Sequence, residues 1–556
     1  MFSSGLPTRP ERCTEACRRR HTSNGICGPR GIFCAFTAAF GLAIASGARA
    51  QVVPHFESGR PESFSLGLDG AFQSAAAYQL EAAAATSTPI SWTVVPAEPS
   101  SWGLGDDLFP NSFATPDGAG APPPVAHRRF WLAAGELALM EFLPWAWNRY
   151  VTDEDFARIS WHTVSENFKA GFGFDNDDFP VNQAQHPYHG SLFFNAARSN
   201  GYTYWESGLF TLAGSFVWEC CMENTRPSWN DLVNTTLGGM ALGEMEHRLS
   251  MVLLDNTATG GDRFWRELGA AIINPVGALT RLIDGDMFRQ YPNPEERYPD
   301  GFRLGAQLGY RHIEGGQASN PDQASIQLSA AYGDPFYADV EKPFDAFWGE
   351  VDFNFPGGTS LSLAEVRGIL RSWELTERTS SARQVLEVSQ EYQYINNEAE
   401  VFGAEMFSGG WMSRYALPGS LVAATDLNAL AIPLAGVKTI NFAAPQTGRN
   451  YDYGPGGGAR IGARLYAKDD QILDVSYSAV WTHTVNGVSD NNTLQFFRAT
   501  AEIPIVGPLG VGGEYDWYSR KTSYHGAFFE PRQTQTQWSV FLTLNFGAHG
   551  LRKPKD

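Results

Sequence analysis

Closely spaced carboxylates are the residues of this sequence most suited to chemistry. Glu219 and Glu223 are four residues apart, which places them on one face of a helix, and Asp231 follows after a short turn. Carboxylates brought together without cations repel one another, so at least one of them takes up a proton or a counter-charge. Protonated and ionised carboxyls side by side can carry general acid–base catalysis. We therefore take Glu219, Glu223 and Asp231, with His189, as candidate catalytic residues.

Polar residues near these carboxylates would either complete a site or hold helices together. The candidate polar cluster consists of Arg198, Ser228, Asn234, Glu244 and Arg248. Ion pairs from Arg198, Arg226 or Arg248 to the carboxylates would be purely structural. Ser228, three residues before Asp231, has the spacing of a helix cap. The structural and the catalytic interpretations both stay open.

Metal-binding patterns are weak in this sequence. His186 and His189 have H-x-x-H spacing, but histidines before a proline more often bond backbone groups in a turn. An incomplete calcium-loop pattern is formed by three aspartates, Asp175, Asp177 and Asp178. The sequence contains no Walker loop, no H-E-x-x-H and no G-x-S-x-G. We expect neither a metal nor a cofactor.

The elements that must position these residues are helices between residues 127 and 290. Pro144 is expected to kink or end the first of them. Small residues at Gly238, Gly239 and Gly243 allow close helix packing. Together the patterns predict one helical domain over residues 127–290. Apolar residues at helical spacing predict helices over Phe130–Trp147, His189–Asn200, Tyr204–Asn224 and Ser228–Leu254.

From Gly301 onward the period of the pattern changes from 3.6 to 2. About twelve alternating segments lie between residues 300 and 547, and short and long connections alternate over the last six. An apolar face that ends in aromatics, with such connections, is typical of an outer-membrane β-barrel. The predicted fold class is α+β, a helical domain followed by an antiparallel transmembrane β-barrel of about twelve strands. The charged side chains expected in the lumen are Arg303, Arg311, Glu350, Asp352, Asp474 and Glu502.

The remaining segments indicate export. Residues 1–50 combine basic residues, an apolar stretch and Ala48-Arg49-Ala50, which is typical of a signal peptide. Residues 51–126 are rich in Ala and Pro and predict a flexible lead-in, and residues 548–556 form a tail after the last strand. The 556-residue chain has a formal net charge of −19, which argues against nucleic acid as a partner.

Several multi-residue motifs occur in order within the helical region. They include Leu143-Pro144-Trp145, Asp175-Asn176-Asp177, His186-Pro187-Tyr188-His189-Gly190, Trp218-Glu219, Asn230-Asp231-Leu232 and Gly243-Glu244. Through these motifs, residues 128–255 resemble the domain-of-unknown-function family 3943. The resemblance implies a bacterial envelope protein, often with a barrel behind the domain, and implies no known reaction.

Two functions fit these patterns. In the first, the barrel has a structural or transport-related role and the helical domain is a periplasmic module or a plug within the barrel. In the second, the protein is an envelope enzyme that acts on a lipid or cell-wall substrate through its carboxylates. Either way we expect the outer membrane of a Gram-negative bacterium as the location. The expected partners are outer-membrane lipid, the barrel-assembly machinery and a small-molecule or lipid ligand.

Overall fold

The computed structural model describes the helical region and most of the barrel. The described residues are 127–294, 299, 301–315, 318–336, 340–356, 360–377, 380–439, 449–468, 470–524 and 530–548. The predicted signal peptide, the predicted lead-in and residues 549–556 of the predicted tail lie outside them.

The helical region contains eight α-helices in its described part, and three π-helical turns extend or join them. The predicted helix Tyr204–Asn224 ends in such a turn, Trp218–Met222, and the predicted helix Ser228–Leu254 is interrupted by another, Asn234–Gly238. The third turn, Val181–Gln185, leads into the helix that begins at His186. The first helix continues past Pro144 to Tyr150. The helices are α1 Phe130–Tyr150, α2 Trp161–Ala170, α3 His186–Arg198, α4 Tyr204–Val217, α5 Trp229–Val233, α6 Gly239–Leu253, α7 Gly260–Ile273 and α8 Pro275–Asp284.

Twelve antiparallel strands form a closed barrel, in which each strand pairs with its neighbours in sequence and β1 pairs with β12. The predicted fold class and strand number are therefore confirmed. The strands are β1 Phe302–Glu314, β2 Asp322–Tyr332, β3 Phe347–Phe355, β4 Leu361–Glu374, β5 Ala382–Asn396, β6 Val401–Leu417, β7 Leu421–Lys438, β8 Tyr451–Ala467, β9 Asp470–His483, β10 Asn491–Val506, β11 Leu509–Ser523 and β12 Arg532–Ala548.

Ion pairs cross the barrel lumen. Arg498 of β10 contacts Glu350 of β3 at 3.1 Å, and Arg460 of β8 contacts Glu391 of β5 at 2.7 Å, although neither pair of strands is adjacent. The charged residues predicted to face the lumen lie in this network or beside it. Their contacts are Arg311–Asp352, Glu350–Arg498, Asp474–Arg464, Glu502 with Gln307 and Asn545, and Arg303 over the ring of Tyr466.

The helical domain packs against the outside of the barrel wall. Side chains alternate across a strand, so the neighbours of the lumenal Glu391 point outward. Of these neighbours, Tyr392 donates a hydrogen bond to the carbonyl of Gln183 at 2.6 Å, and Gln390 donates one to the carbonyl of Leu237 at 2.9 Å. The described helices thus lie beside the barrel, and the expectation that they plug its lumen is wrong.

A shared hydrophobic core joins the two parts. Phe179, Phe194 and Met240 of the helical region belong to one buried cluster with Tyr392 and Tyr453 of the barrel. None of the described helices is both long enough and apolar enough to cross a membrane.

Candidate functional site

Three carboxylates of the helical domain converge through short polar links. Glu219 accepts a hydrogen bond from the backbone N–H of Ser228 at 2.8 Å, and the Ser228 hydroxyl donates to Asp231. The Asn230 amide donates to Asp231 at 2.8 Å and to Asp175 at 2.7 Å. We call Asp175, Glu219, Ser228, Asn230 and Asp231 the acid cluster. The structure thus brings together two of the four candidate catalytic residues, Glu219 and Asp231.

Helix ends position the acid cluster. Glu219 lies in the π-helical turn that extends α4, and Ser228 caps the start of α5 by accepting from the backbone N–H of Asp231 at 3.2 Å. Gly173 forms backbone hydrogen bonds on both sides of Ser228, to Pro227 at 2.8 Å and from Trp229 at 2.7 Å. This pairing holds the loop that carries Asp175 against the start of α5. Ser228 therefore caps this helix, as its spacing to Asp231 in the sequence indicated.

A second layer of polar residues surrounds the acid cluster, and the barrel contributes Tyr451 to it. The Asn182 amide donates to Asp175 at 2.9 Å and to the hydroxyl of Tyr451 on β8 at 2.7 Å. Nε2 of His186 lies 3.6 Å from the Asp231 carboxylate. The sequence analysis missed Asn182 and Tyr451 as site residues and noted His186 only in a metal-binding pattern. The signal for Tyr451 was weak, since only the contact between the helical domain and the barrel shows that a residue more than two hundred positions away belongs here.

Burial governs the charge of the acid cluster. It raises the pKa of Glu219 well above its ordinary range, and the nearby Glu223 adds to the effect. Burial also raises the pKa of Asp231, with Asp175 and Glu219 as further causes. None of the described arginines forms an ion pair with Glu219 or Asp231, although the sequence left ion pairs with Arg198, Arg226 or Arg248 open. Burial and the neighbouring carboxylates therefore both favour the protonated form of Glu219 and of Asp231.

The predicted arginine partners form ion pairs with a different glutamate. Glu244 of α6 binds Arg198 at 2.7 Å and Arg248 at 2.8 Å. Although burial opposes ionisation, the two arginines hold the pKa of Glu244 at about 2. Arg248 also binds Asp345, between β2 and β3, at 3.0 Å. This charged group therefore ties the helical domain to the barrel.

The remaining candidates lie outside the acid cluster's own hydrogen bonds. His189 contacts the carbonyl of Met140 at 3.0 Å, and burial lowers its pKa to about 4. Glu223 accepts from the indole N–H of Trp218 at 2.6 Å. Asn234 donates to the backbone carbonyl of Asn182 at 2.9 Å, which places it in the second layer.

The three small residues singled out in the sequence lie where helices touch. A Cβ atom on Gly239 would lie 2.4 Å from the carbonyl carbon of Gly190, and one on Gly243 would lie 2.7 Å from the ring of Phe194. At Gly238 the close neighbour is Pro187, at 2.7 Å. These glycines therefore allow α6 and the turn before it to approach α3.

The histidines, cysteines and acidic residues in the described part of the chain form no metal-binding arrangement. Within them, no group of three or more His, Cys, Asp or Glu side chains is placed to hold a metal ion. His186 and His189, the pair with H-x-x-H spacing, bond to Thr235 and to the Met140 carbonyl respectively.

The family comparison identifies the segment that carries the acid cluster. Residues 171–276 match a domain of unknown function, DUF3943. The match begins after α2 and ends at the start of α8, so it is shorter at its N-terminal end and longer at its C-terminal end than the predicted range 128–255. It includes the whole acid cluster and Glu244. The resemblance read from the sequence motifs is therefore confirmed.

Solved structures resemble the barrel. A NanC porin is 10% identical, covers 43% of this chain and 98% of its own, and has a TM-score of 0.24. The toluene transporter TodX from Pseudomonas putida is 10% identical, with coverages of 46% and 91% and a TM-score of 0.20. Outer membrane phospholipase A from Escherichia coli is 9% identical, with coverages of 44% and 92% and a TM-score of 0.22. No curated protein is significantly similar to the chain.

Proposed function

We propose that this chain is a Gram-negative outer-membrane protein whose closed barrel anchors a helical domain in the lipid beside it, where the helical domain acts on a lipid. The observation that carries the proposal is the inverted polarity of the helical domain, which has polar groups inside and large apolar side chains outside. The domain also lies on the outside of a barrel wall, where lipid would surround it.

The exposed side of the helical domain is apolar. Trp131 of α1 is 85% exposed and Leu209 of α4 is 66% exposed, whereas Glu136, Glu141 and Glu219 are all buried. A domain surrounded by water buries its apolar side chains and exposes its glutamates. Large contiguous apolar surfaces mark contact with membranes or partners. Lipid is the environment that suits a domain with an apolar exterior and a polar interior.

The barrel wall shows the same arrangement. Where the wall is uncovered, it presents apolar side chains such as Leu427, Ile461 and Leu542. Where the helical domain covers it, the outward-facing residues include Gln390 and Glu405, both of them buried. Polar groups on the outer face of a barrel are costly in contact with lipid. The helical domain therefore shields a polar strip of the wall.

The lumen supports an anchoring role better than a transport role. Arg498 contacts Glu350 and Asp516, both at 3.1 Å, and Arg367 contacts Glu387 and Asp426. Paired charges that reach across a narrow barrel hold its walls together and fill its interior. We therefore assign the function to the helical domain. We also expect the barrel-assembly machinery to insert this barrel, whose last strand carries the aromatic Phe546 near its end.

The acid cluster is the part of the helical domain best suited to act on a lipid. A protonated carboxyl beside one that can ionise supplies both the acid and the base of a proton-transfer step. Asp175 is half-buried and Asn176 and Asp177 beside it are exposed, so a headgroup would approach from this loop. With short turns on the periplasmic side, the loop lies at the outer end of the barrel, near the start of β8.

A lipid profile of a deletion strain tests the proposal. The outer-membrane lipids of a strain without the protein should differ from wild type, and the wild-type gene should restore them. A Glu219→Gln gene should not restore them, although its product should assemble normally. An unchanged lipid profile combined with altered uptake of small solutes would show that the barrel transports and would refute the proposal.

A further inference from the structure

An arginine of the barrel touches the acid cluster directly. Arg449 lies in the connection between β7 and β8, two residues before Tyr451, and its side chain is buried. A terminal nitrogen of its guanidinium donates a hydrogen bond to the backbone carbonyl of Asp175, a member of the acid cluster. The barrel therefore contacts the loop that carries this carboxylate.

The rest of the Arg449 side chain is held by the barrel. Its Nε donates to the carbonyl of Tyr451 at 3.0 Å, and its other terminal nitrogen donates to the carbonyl of Asn486 at 3.0 Å and to the side-chain oxygen of the same residue. The guanidinium also lies 5.4 Å from the ring centre of Tyr451 and 4.7 Å from that of Tyr453, within cation–π range. Asn486, between β9 and β10, is fixed in turn, since its carbonyl accepts from the backbone N–H of Tyr453 at 2.8 Å. Arg449 thus joins the Asp175 loop to two strand connections.

Asp175 lies in a loop, between α2 and the turn Val181–Gln185. Its backbone N–H donates to the side chain of Asn230 at 3.2 Å, and its carboxylate accepts from Asn230 at 2.7 Å and from Asn182 at 2.9 Å. These partners belong to the helical domain, whereas Arg449, which binds the carbonyl of Asp175, belongs to the barrel. The backbone of Asp175 is therefore held from both sides.

The shape of the guanidinium suits this link. It carries five N–H donors in a rigid planar fork, whereas a lysine ammonium carries three donors on one nitrogen at the end of a flexible stem. The Arg449 fork donates to backbone carbonyls on three segments, at Asp175, Tyr451 and Asn486. A lysine would keep the charge but would not span these three carbonyls.

We infer that Arg449 is a positioning residue for the acid cluster, through which the barrel holds the Asp175 carboxylate in place. This inference rests on the proposed function, which assigns the chemistry to the acid cluster. Burial is the main cause of the raised pKa of Asp231, and Asp175 is the next. A loop that moved away would remove a negative charge and admit water, and both changes favour the ionised form of Asp231.

Two measurements on the full protein in detergent micelles test this inference. A spin label at the exposed Asn176, introduced as Asn176→Cys in a chain without other cysteines, reports the motion of the loop. Infrared spectroscopy follows the carbonyl band of protonated carboxyls as pH rises, and Asp231→Asn identifies the part that belongs to this residue. Arg449→Lys keeps the charge and loses the fork. Arg520→Lys is the matched control, because Arg520 is also buried toward this end of the barrel, where it binds Glu400 at 2.8 Å.

We expect Arg449→Lys to assemble like wild type by heat-modifiability, to increase the mobility of the label and to shift the loss of the Asp231 band to lower pH. Arg520→Lys should leave both signals as in wild type. A label that stays immobile in Arg449→Lys, or an Asp231 band that does not shift although the label moves, would overturn the inference. Equal changes in Arg520→Lys would overturn it too, since they would show a general loosening of the barrel. Neither measurement uses a lipid substrate, so the inference and the proposed function, tested by the lipid profile of the Glu219→Gln strain, can fail independently.

Discussion

At the scale of single residues, two glutamates of one domain have opposite surroundings. Glu244 is buried between Arg198 and Arg248, whereas Glu219 is buried beside other carboxylates and the backbone N–H of Ser228. The sequence predicted that both belong to a polar group. It could not predict which glutamate receives the arginines, because that depends on how α3 packs against α6.

This contrast predicts different results for the same substitution. Burial favours the protonated form of Glu219, and Glu219→Gln puts an amide of the same shape in its place, so it should change the free energy of unfolding by less than about 1 kcal/mol. Glu244→Gln removes the buried carboxylate that Arg198 and Arg248 share, leaves Arg248 with Asp345 as its ion-pair partner, and should cost about 3–5 kcal/mol. Chemical denaturation of the two variants in detergent measures both values. A larger loss for Glu219→Gln than for Glu244→Gln would mean that we have assigned the charges wrongly.

Glu141 leads to a prediction about pH. It is buried, both of its carboxyl oxygens lack a partner in the described part of the chain, and burial raises its pKa to about 9. A carboxyl whose pKa is raised on folding destabilises the fold as pH rises from its ordinary pKa, about 4.5, toward the raised value. Glu141→Met should therefore raise the melting temperature at pH 8 more than at pH 5. The exposed Glu154→Met is the control, and equal effects of Glu141→Met at both pH values would contradict the assignment.

At the scale of elements, strands were easier to predict than helices. A strand between lipid and lumen alternates apolar and polar side chains, and for this reason the sequence predicted about twelve strands and the structure has twelve. The turn Asn234–Gly238 could not be predicted, because it has no sequence pattern of its own. It presents the carbonyl of Leu237 to Gln390 on the barrel. Such turns follow from tertiary contacts.

Substitutions at two glycines on the outer face of β6 test whether the helices dock on this part of the barrel wall. A Cβ atom on Gly403 would lie 2.3 Å from the side-chain oxygen of Gln183, whereas one on Gly409 would have no neighbour within 4 Å. Gly403→Leu should therefore loosen the helical domain, and Gly409→Leu should not. Limited proteolysis of the helical domain, with the barrel monitored by heat-modifiability, measures the difference. If both variants resist protease equally, the helices do not rest on this part of the wall.

At the scale of the whole molecule, the sequence predicted two parts but not their arrangement. Alternation shows which strand face is apolar, yet outward polar residues such as Gln390 and Glu405 break the pattern only where another domain covers the wall. In the same way, only the fold shows that α1 buries Glu136 and Glu141 and turns its apolar side outward. The site was predictable in part, since Glu219 and Asp231 of the acid cluster are close in sequence, while Tyr451 of the second layer is not.

A spin label on α4 tests whether the helical domain lies in lipid beside the barrel. The label is attached at Leu209→Cys in a chain without other cysteines, reconstituted in phospholipid bilayers, with Asp155→Cys as the control in the charged connection before α2. We predict that relaxation of the Leu209 label responds to oxygen and not to a water-soluble nickel chelate, whereas the Asp155 label responds to the chelate. A Leu209 label that the nickel chelate reaches as readily as the control would show that the domain lies in water and would contradict the account.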